Sequence, residues 1–218
     1  MKKKLSLLFL IGIILQNVLI TSCKKDEDKT TPNGAASGEI TDTRDGKVYK
    51  WRKIKDQTWF VENLNYVTSD SWTYDGSASN GDLYGRLYTW QDALYACPNG
   101  WHVPNDNEWN TLFIGLGVNP TEVDNIGWMG SDQGLQLRAT SGWENGNGNN
   151  SSGFNALPGG WRYTNGEFAH LGVSAVWWSA SDSSDMKAFT RGLGHEINKV
   201  YREYDYKWMG YSVRCIKD

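Results

Sequence analysis

Three cysteines, at positions 23, 97 and 215, constrain this chain more than any other residues, because the segment before the first decides what the other two can do. Met1-Lys2-Lys3-Lys4 is basic, Leu5 to Leu15 is apolar, and small residues at Thr21 and Ser22 lead into Cys23. A basic start, an apolar run of roughly 7–15 residues and a small-residue exit describe a secretory signal peptide. The apolar stretch is interrupted by Gln16 and Asn17 and falls short of the roughly 20 residues that a membrane-spanning helix needs. An exported chain matures where disulfides persist.

The exit Ile20-Thr21-Ser22-Cys23 resembles the lipobox of bacterial lipoproteins. That resemblance implies diacylglycerol on the Cys23 thiol, removal of residues 1–22, and acylation of the new amino terminus, with palmitate an expected acyl group. One acyl chain binds a bilayer only marginally and each buried methylene adds about 0.8 kcal/mol, so two or more chains make the attachment stable. With Cys23 used, Cys97 and Cys215 are expected to form a disulfide; two buried free thiols are the alternative. A bridge across so much of the chain constrains the unfolded state by about 4–5 kcal/mol. Lys24-Lys25-Asp26-Glu27-Asp28-Lys29 resembles the Lys-then-acid tag of surface-displayed lipoproteins of the Bacteroidetes, and is equally a solvated charge run. The expected location is the cell envelope, on the outer membrane and surface-exposed, with the membrane as a partner through the lipid on Cys23.

Residues 23–41 read as the lipidated cysteine and a disordered linker, and 42–218 as one domain. Three of the 22 Lys and Arg sit in the leader, so the mature chain is more acidic than the overall formal charge of −3. No basic stripe appears, and nucleic acid is not an expected partner. The 12 Trp and 11 Tyr beside 24 Gly point to a loop-rich fold whose irregular spaces are filled by large side chains.

Alternating residues predict strands over 47–54 and 58–61, turning at Asp56-Gln57. Residues 69–81 read as a polar loop and 88–96 as a helix with Trp90, Ala93 and Leu94 on one face. Asn105 with Glu108 three residues on predicts a capped helix that buries Trp109, Leu112, Phe113 and Leu116. Residues 135–139 read as a short helix or strand, and 144–152 as a Gly/Asn loop. Asn165-Gly166 is a hairpin turn; 175–179, 187–194, 199–204 and 211–216 read as strands. The expected class is α+β, with two helices in the first half and antiparallel hairpins in the second.

Several stretches together are similar to the Fibrobacter succinogenes major paralogous domain, from about Thr43 to Asp218. They include Trp59-Phe60-Val61-Glu62-Asn63-Leu64-Asn65, Tyr84-Gly85-Arg86-Leu87-Tyr88-Thr89-Trp90, Cys97-Pro98-Asn99-Gly100-Trp101-His102-Val103-Pro104, Gly153-Phe154-Asn155-Ala156-Leu157-Pro158-Gly159-Gly160 and Ser212-Val213-Arg214-Cys215. That family has no established biochemical activity and commonly sits on secreted and lipid-anchored proteins. More distantly, Gly100 to Pro104 with Glu108-Trp109, and Val213-Arg214-Cys215, resemble the formylglycine-generating-enzyme branch of the C-type-lectin-like fold. This implies a C-type-lectin-like mixed fold with neighbouring termini. The cysteine pair that performs oxidase chemistry in that branch has no counterpart here, and the calcium motifs of sugar-binding C-type lectins are missing.

The chemistry is sparse. His102, His170 and His195 form no zinc helix, and no Cys-x-x-Cys occurs. His102 is expected to bond backbone, His170 and His195 to lie at the surface, and Asp182 with Asp185 to form either a carboxylate pair or a turn. Glu144, Asn145, Asn147 and Asn149 are weak calcium candidates, since calcium takes six to eight oxygens and usually several carboxylates; no metal or cofactor is expected. Arg162 and Arg214 read as ion-pair partners. Trp72, Trp143 and Trp161 are the best of the tryptophans as candidates to face solvent, although core packing is the favoured place for each, and with Asn147 and Asn149 they form the candidate binding set. The expected function is non-catalytic binding of a glycan or an envelope protein. The alternatives are an enzyme of the formylglycine-generating-enzyme-like fold and a structural or adhesive surface component.

Overall fold

The computed structural model describes residues 29–30 and 36–218. The leader 1–22, the lipid site Cys23 and the tether residues 24–28 and 31–35 lie outside the described residues. In chain order the first strands are β1 (Lys29–Thr30), β2 (Ala36–Thr41), β3 (Val48–Ile54), β4 (Gln57–Phe60), β5 (Ser71–Trp72), β6 (Leu87–Tyr88), β7 (Trp101–His102) and β8 (Gly127–Met129). There follow β9 (Gly159–Arg162), β10 (Phe168–Leu171), β11 (Ser174–Asp182), β12 (Lys187–Gly194), β13 (Val200–Tyr206), β14 (Tyr211–Ser212) and β15 (Ile216–Lys217). The helices among the described residues are short: α1 (Ala78–Tyr84), α2 (Trp90–Ala93), α3 (Asp106–Gly115) and α4 (Gln133–Leu137).

Two sheets result. A six-stranded sheet runs β1-β2-β3-β4-β15-β7, so the last strand inserts between two early ones. A nine-stranded sheet runs β5-β6-β14-β11-β12-β13-β8, with β9 joining β11 and β10 joining β9. Pairing is antiparallel except where β11 meets β9 and β14. The class is therefore mixed and mostly sheet, consistent with α+β and with the expected late hairpins β9–β10, β11–β12 and β12–β13.

Neighbouring residues on β4 point to different cores. Trp59 joins Ile54, Ile216 and the α3 residues Trp109, Leu112 and Phe113. Phe60 joins Tyr49, Trp51, Trp101, Trp178 and Cys215. Cys97 and Cys215 are bonded to each other, tying the segment after α2 to the approach of β15. The α3 cap is as expected: Glu108 N donates to Asn105 Oδ1 at 3.0 Å and Asn105 N to Glu108 Oε2 at 2.8 Å. Such a cap contributes about 1 kcal/mol.

Four local readings are corrected. Ala36–Thr41 is a strand paired with β3 rather than linker; its small residues leave room for the Trp51 indole, since a Cβ on Gly38 would lie 2.7 Å from that ring. The segment read as a polar loop, 69–81, contains β5 and the first turn of α1, started by Ser77, whose side chain accepts from Asn80 N. The helix expected over 88–96 shortens to α2 because Tyr88 pairs with Tyr211 in the larger sheet. The β3–β4 turn centres on Lys55-Asp56, with Lys55 at φ 55.

Candidate functional site

Strands β12 and β13 pair Arg191 with Arg202, Phe189 with Tyr204, and Lys187 with Tyr206. Directly paired residues share a face, so one face of this hairpin carries three rungs. The inner rung is buried and charged: Arg191 and Arg202 both grip Asp106 at the start of α3. Arg202 also donates from Nη1 to Asp124 O at 2.6 Å, and Arg191 from Nη2 to Asn110 Oδ1 at 2.7 Å. Burial pulls the Arg191 pKa down to about 10 against the pull of Asp106, which leaves it charged at neutral pH. The middle rung stacks outward from this base, with the Arg202 guanidinium 4.1 Å from the Phe189 ring and Phe189 edge-on to Tyr204.

The outer rung is exposed. Tyr206 stacks on Trp208 at 5.3 Å with 16° between planes, and the Lys187 ammonium lies 5.0 Å from the Tyr204 centroid and 4.8 Å from that of Tyr206. Tyr204 is 40%, Tyr206 41%, Trp208 47% and the adjacent Met186 56% exposed. The alternation along β13 is inverted: Glu203 and Asp205 are half-buried while Tyr204 and Tyr206 face solvent. Inward, Asp205 Oδ2 accepts from Tyr211 OH at 2.6 Å and Glu203 Oε2 from Tyr201 OH at 3.3 Å. Burial and the neighbouring carboxylate push the Tyr211 hydroxyl well above its usual pKa, so it remains a donor. The turn after β13 is also held: Trp90 N donates to Lys207 O at 2.8 Å, and Lys207 Nζ sits 4.2 Å over the Trp90 ring and 3.4 Å from Asp182.

The residues singled out from sequence are distributed differently. Trp72 on β5 and Trp161 on β9 are both half-buried. Arg162 lies 4.0 Å over the Trp72 ring and His170 stacks on Trp161 at 4.1 Å. Trp143 is corrected: it is 5% exposed and donates from Nε1 to Ala156 O at 2.8 Å. The loop beside it packs inward, because Gly146 and Gly148 lie so close to the carbonyls of His195 and Arg138 that no Cβ fits. Asn147 Oδ1 accepts from Trp143 N and Asn149 Oδ1 from Ser151 N, each at 3.0 Å. Asn145 adopts φ 51, and Glu144 N donates to Gly172 O. Among the described residues no three His, Cys, Asp or Glu side chains gather to hold a metal ion.

His102, expected on backbone, lies instead between two carboxylates, with Nδ1 2.6 Å from Asp218 Oδ1 and Nε2 2.8 Å from Glu108 Oε1. Partial burial would lower its pKa, but these two contacts outweigh burial and raise it. His170 is exposed on β10, and His195 Nδ1 donates to Glu144 O at 2.7 Å. Asp182 and Asp185 flank the β11–β12 turn, where Asp182 faces Lys207. Arg162 and Arg214 form no ion pair among the described residues; Arg162 meets aromatic rings and Arg214 meets carbonyls. A cleft of about 650 Å³ beside Trp51, Trp101 and Lys217 offers little ring face, both indoles being 8% exposed.

Sequence reasoning missed the outer rung because it ended the strand at Tyr204. The available signal was the spacing Tyr204-x-Tyr206-x-Trp208, which puts three aromatic rings on one side of an extended chain.

Fold and site together define a disulfide-closed domain of two sheets that presents an exposed aromatic row at the end of one hairpin. Residues 52–217 match the model of the Fibrobacter succinogenes major domain, and the chain belongs to that family. No curated protein and no solved structure matches the chain significantly.

Proposed function

We propose that this protein is an outer-membrane lipoprotein, exported by the leader 1–22, held through lipid on Cys23 and facing outward. Its C-type-lectin-like domain binds glycan, without turnover, along Tyr204, Tyr206 and Trp208. One observation carries the binding reading: β13 turns its acids inward and its aromatic rings to solvent. Solvation alone favours the opposite arrangement, and exposed contiguous apolar surface marks interaction sites. The C–H faces of pyranose rings stack on such aromatic faces, while sugar hydroxyls keep their contact with water. The lectin-like assignment is supported by β2 and β15 sharing one sheet, which brings the two ends of the domain near each other.

A glycan array probed with the purified chain tests the reading. Trp208→Ala and Tyr206→Ala are expected to weaken binding about tenfold or more, in line with aromatic anchors at other interfaces, while leaving the fold intact because both rings are exposed. Retained affinity in both variants would remove the row as the binding site, and binding to no sugar would remove the glycan reading in favour of a protein partner. Growth with labelled palmitate tests the anchor: the wild type is expected to be labelled and Cys23→Ala is not.

A further inference from the structure

We infer that the aromatic row selects an acidic glycan, one built of carboxylate-bearing pyranoses, through the ammonium of Lys187; this rests on the reading of the row as a glycan site. Lys187 is half-buried, and its partners are the two tyrosine faces. Among the described residues it forms no ion pair, in contrast to Lys207 with Asp182 and Lys47 with Asp45.

An aromatic face attracts a cation but does not occupy its three N–H donors as a carboxylate does. The donors are therefore held in place and left available beside the stacking surface. Pairing of Lys187 with Tyr206 puts the ammonium on the same side of the hairpin as the exposed rings. A ligand lying along the row thus meets Trp208 and Tyr206 as apolar faces and a positive charge between Tyr206 and Tyr204.

Among the described residues, none of the surrounding acids pairs directly with Lys187. Asp182 faces Lys207, and Glu203 and Asp205 lie on the other face of β13 from Tyr204 and Tyr206, bonded to the hydroxyls of Tyr201 and Tyr211. Asp185, in the β11–β12 turn, makes no ion pair with Lys187. A ring carboxylate supplies the missing acceptor for a charge-assisted hydrogen bond, and the sugar ring that carries it supplies the stacking face.

The test uses oligogalacturonate and oligomannuronate, each beside its methyl ester, which keeps the sugar ring and removes the charge. Oligoglutamate provides an acidic control without sugar. Binding is measured with the full chain purified in detergent. The acids are expected to bind at least about tenfold more tightly than their esters, with a preference that shrinks in added salt. Lys187→Met, which keeps an apolar stem between the tyrosines, is expected to equalise acid and ester. Lys187→Arg is expected to retain the preference, and Trp208→Ala to weaken both. Esters binding as well as acids, or a preference that survives Lys187→Met, would overturn the acidic selection while leaving glycan binding standing. Oligoglutamate binding as tightly as the uronates would overturn the sugar assignment, and failure of all acids and esters would remove both readings.

Discussion

Arg214→Met removes a fully buried cation that faces carbonyls rather than a carboxylate. Its Nη1 donates to Phe154 O at 2.6 Å and Phe60 O at 3.1 Å, Nη2 to Asn155 O at 3.1 Å, and Nε to Asn63 Oδ1 at 2.8 Å. Burial pulls its pKa down to about 9, so it is charged at neutral pH. Methionine retains an apolar stem but donates nothing, and it loses the guanidinium that lies 4.4 Å over the Phe154 ring. Asn63 Oδ1 keeps the Trp177 Nε1 donor at 2.9 Å, whereas the buried Phe154 O and Phe60 O each lose one, as does the part-buried Asn155 O. An orphaned buried acceptor costs about 1–3 kcal/mol, so two cost about 2–6 kcal/mol. Relief of the guanidinium's desolvation offsets part of this. The expected net loss is about 2–4 kcal/mol, which at a urea slope of about 2 kcal/mol per molar lowers the unfolding midpoint by about 1–2 M. A midpoint within about 0.3 M of wild type, or above it, would refute the view that this fork of donors joins the last strand to the 153–156 segment.

Three further outcomes are expected. Cys97→Ser, or reduction of the wild type, is expected to lower stability by about 4–5 kcal/mol through the freed loop; urea midpoints with and without reductant measure it. Asp106→Asn leaves Arg191 and Arg202 without their shared carboxylate and is expected to lose about 3–5 kcal/mol, read from the same unfolding curves. The raised pKa of His102 means that its stabilisation is complete below about pH 6.5, the ordinary imidazole value, and fades as pH rises through the folded value. With the ring 39% exposed, solvent screening holds this to a fraction of a kcal/mol. The midpoint difference between pH 5.5 and 8.5 is expected to be larger in wild type than in His102→Gln, and equal differences would count against the clamp.

Features set by short-range chemistry were legible in the sequence. Asn105 and Glu108 satisfy each other's backbone across one helical turn, so their spacing is enough to find the α3 cap. Export and cysteine count led to the Cys97–Cys215 bond, and strand alternation led to the late hairpins. Features set by distant chain were not legible. Gly146 and Gly148 read as part of a plain Gly/Asn loop, yet they are bare because the His195 and Arg138 carbonyls press against them, and that closure buries Trp143. Arg214 read as half of an ion pair because sequence does not show backbone carbonyls converging from β4 and from residues 154–155. The strand residues Ala36 to Thr41 looked like tether because small side chains serve a linker and a close packing partner of Trp51 equally well.

The exposed row is maintained against the hydrophobic effect. A one-residue slip of β13 would exchange its faces, carrying Tyr204 and Tyr206 to the side of Glu203 and Asp205 and, with them, Val200 and Arg202 out of their buried places. Contacts at both ends oppose it. Arg202, on the same face as the two tyrosines, is locked with Arg191 on Asp106, and the inward acids are matched by the hydroxyls of Tyr201 and Tyr211. The chain thus uses buried polar contacts to hold aromatic area in solvent, where a ligand recovers the burial energy that folding leaves unused. Because the rings are stacked in place before any ligand arrives, little side-chain entropy remains to be lost on binding. This is why the claim about function rests on Tyr204, Tyr206 and Trp208 rather than on the cleft beside Trp51 and Trp101, whose rings are already buried.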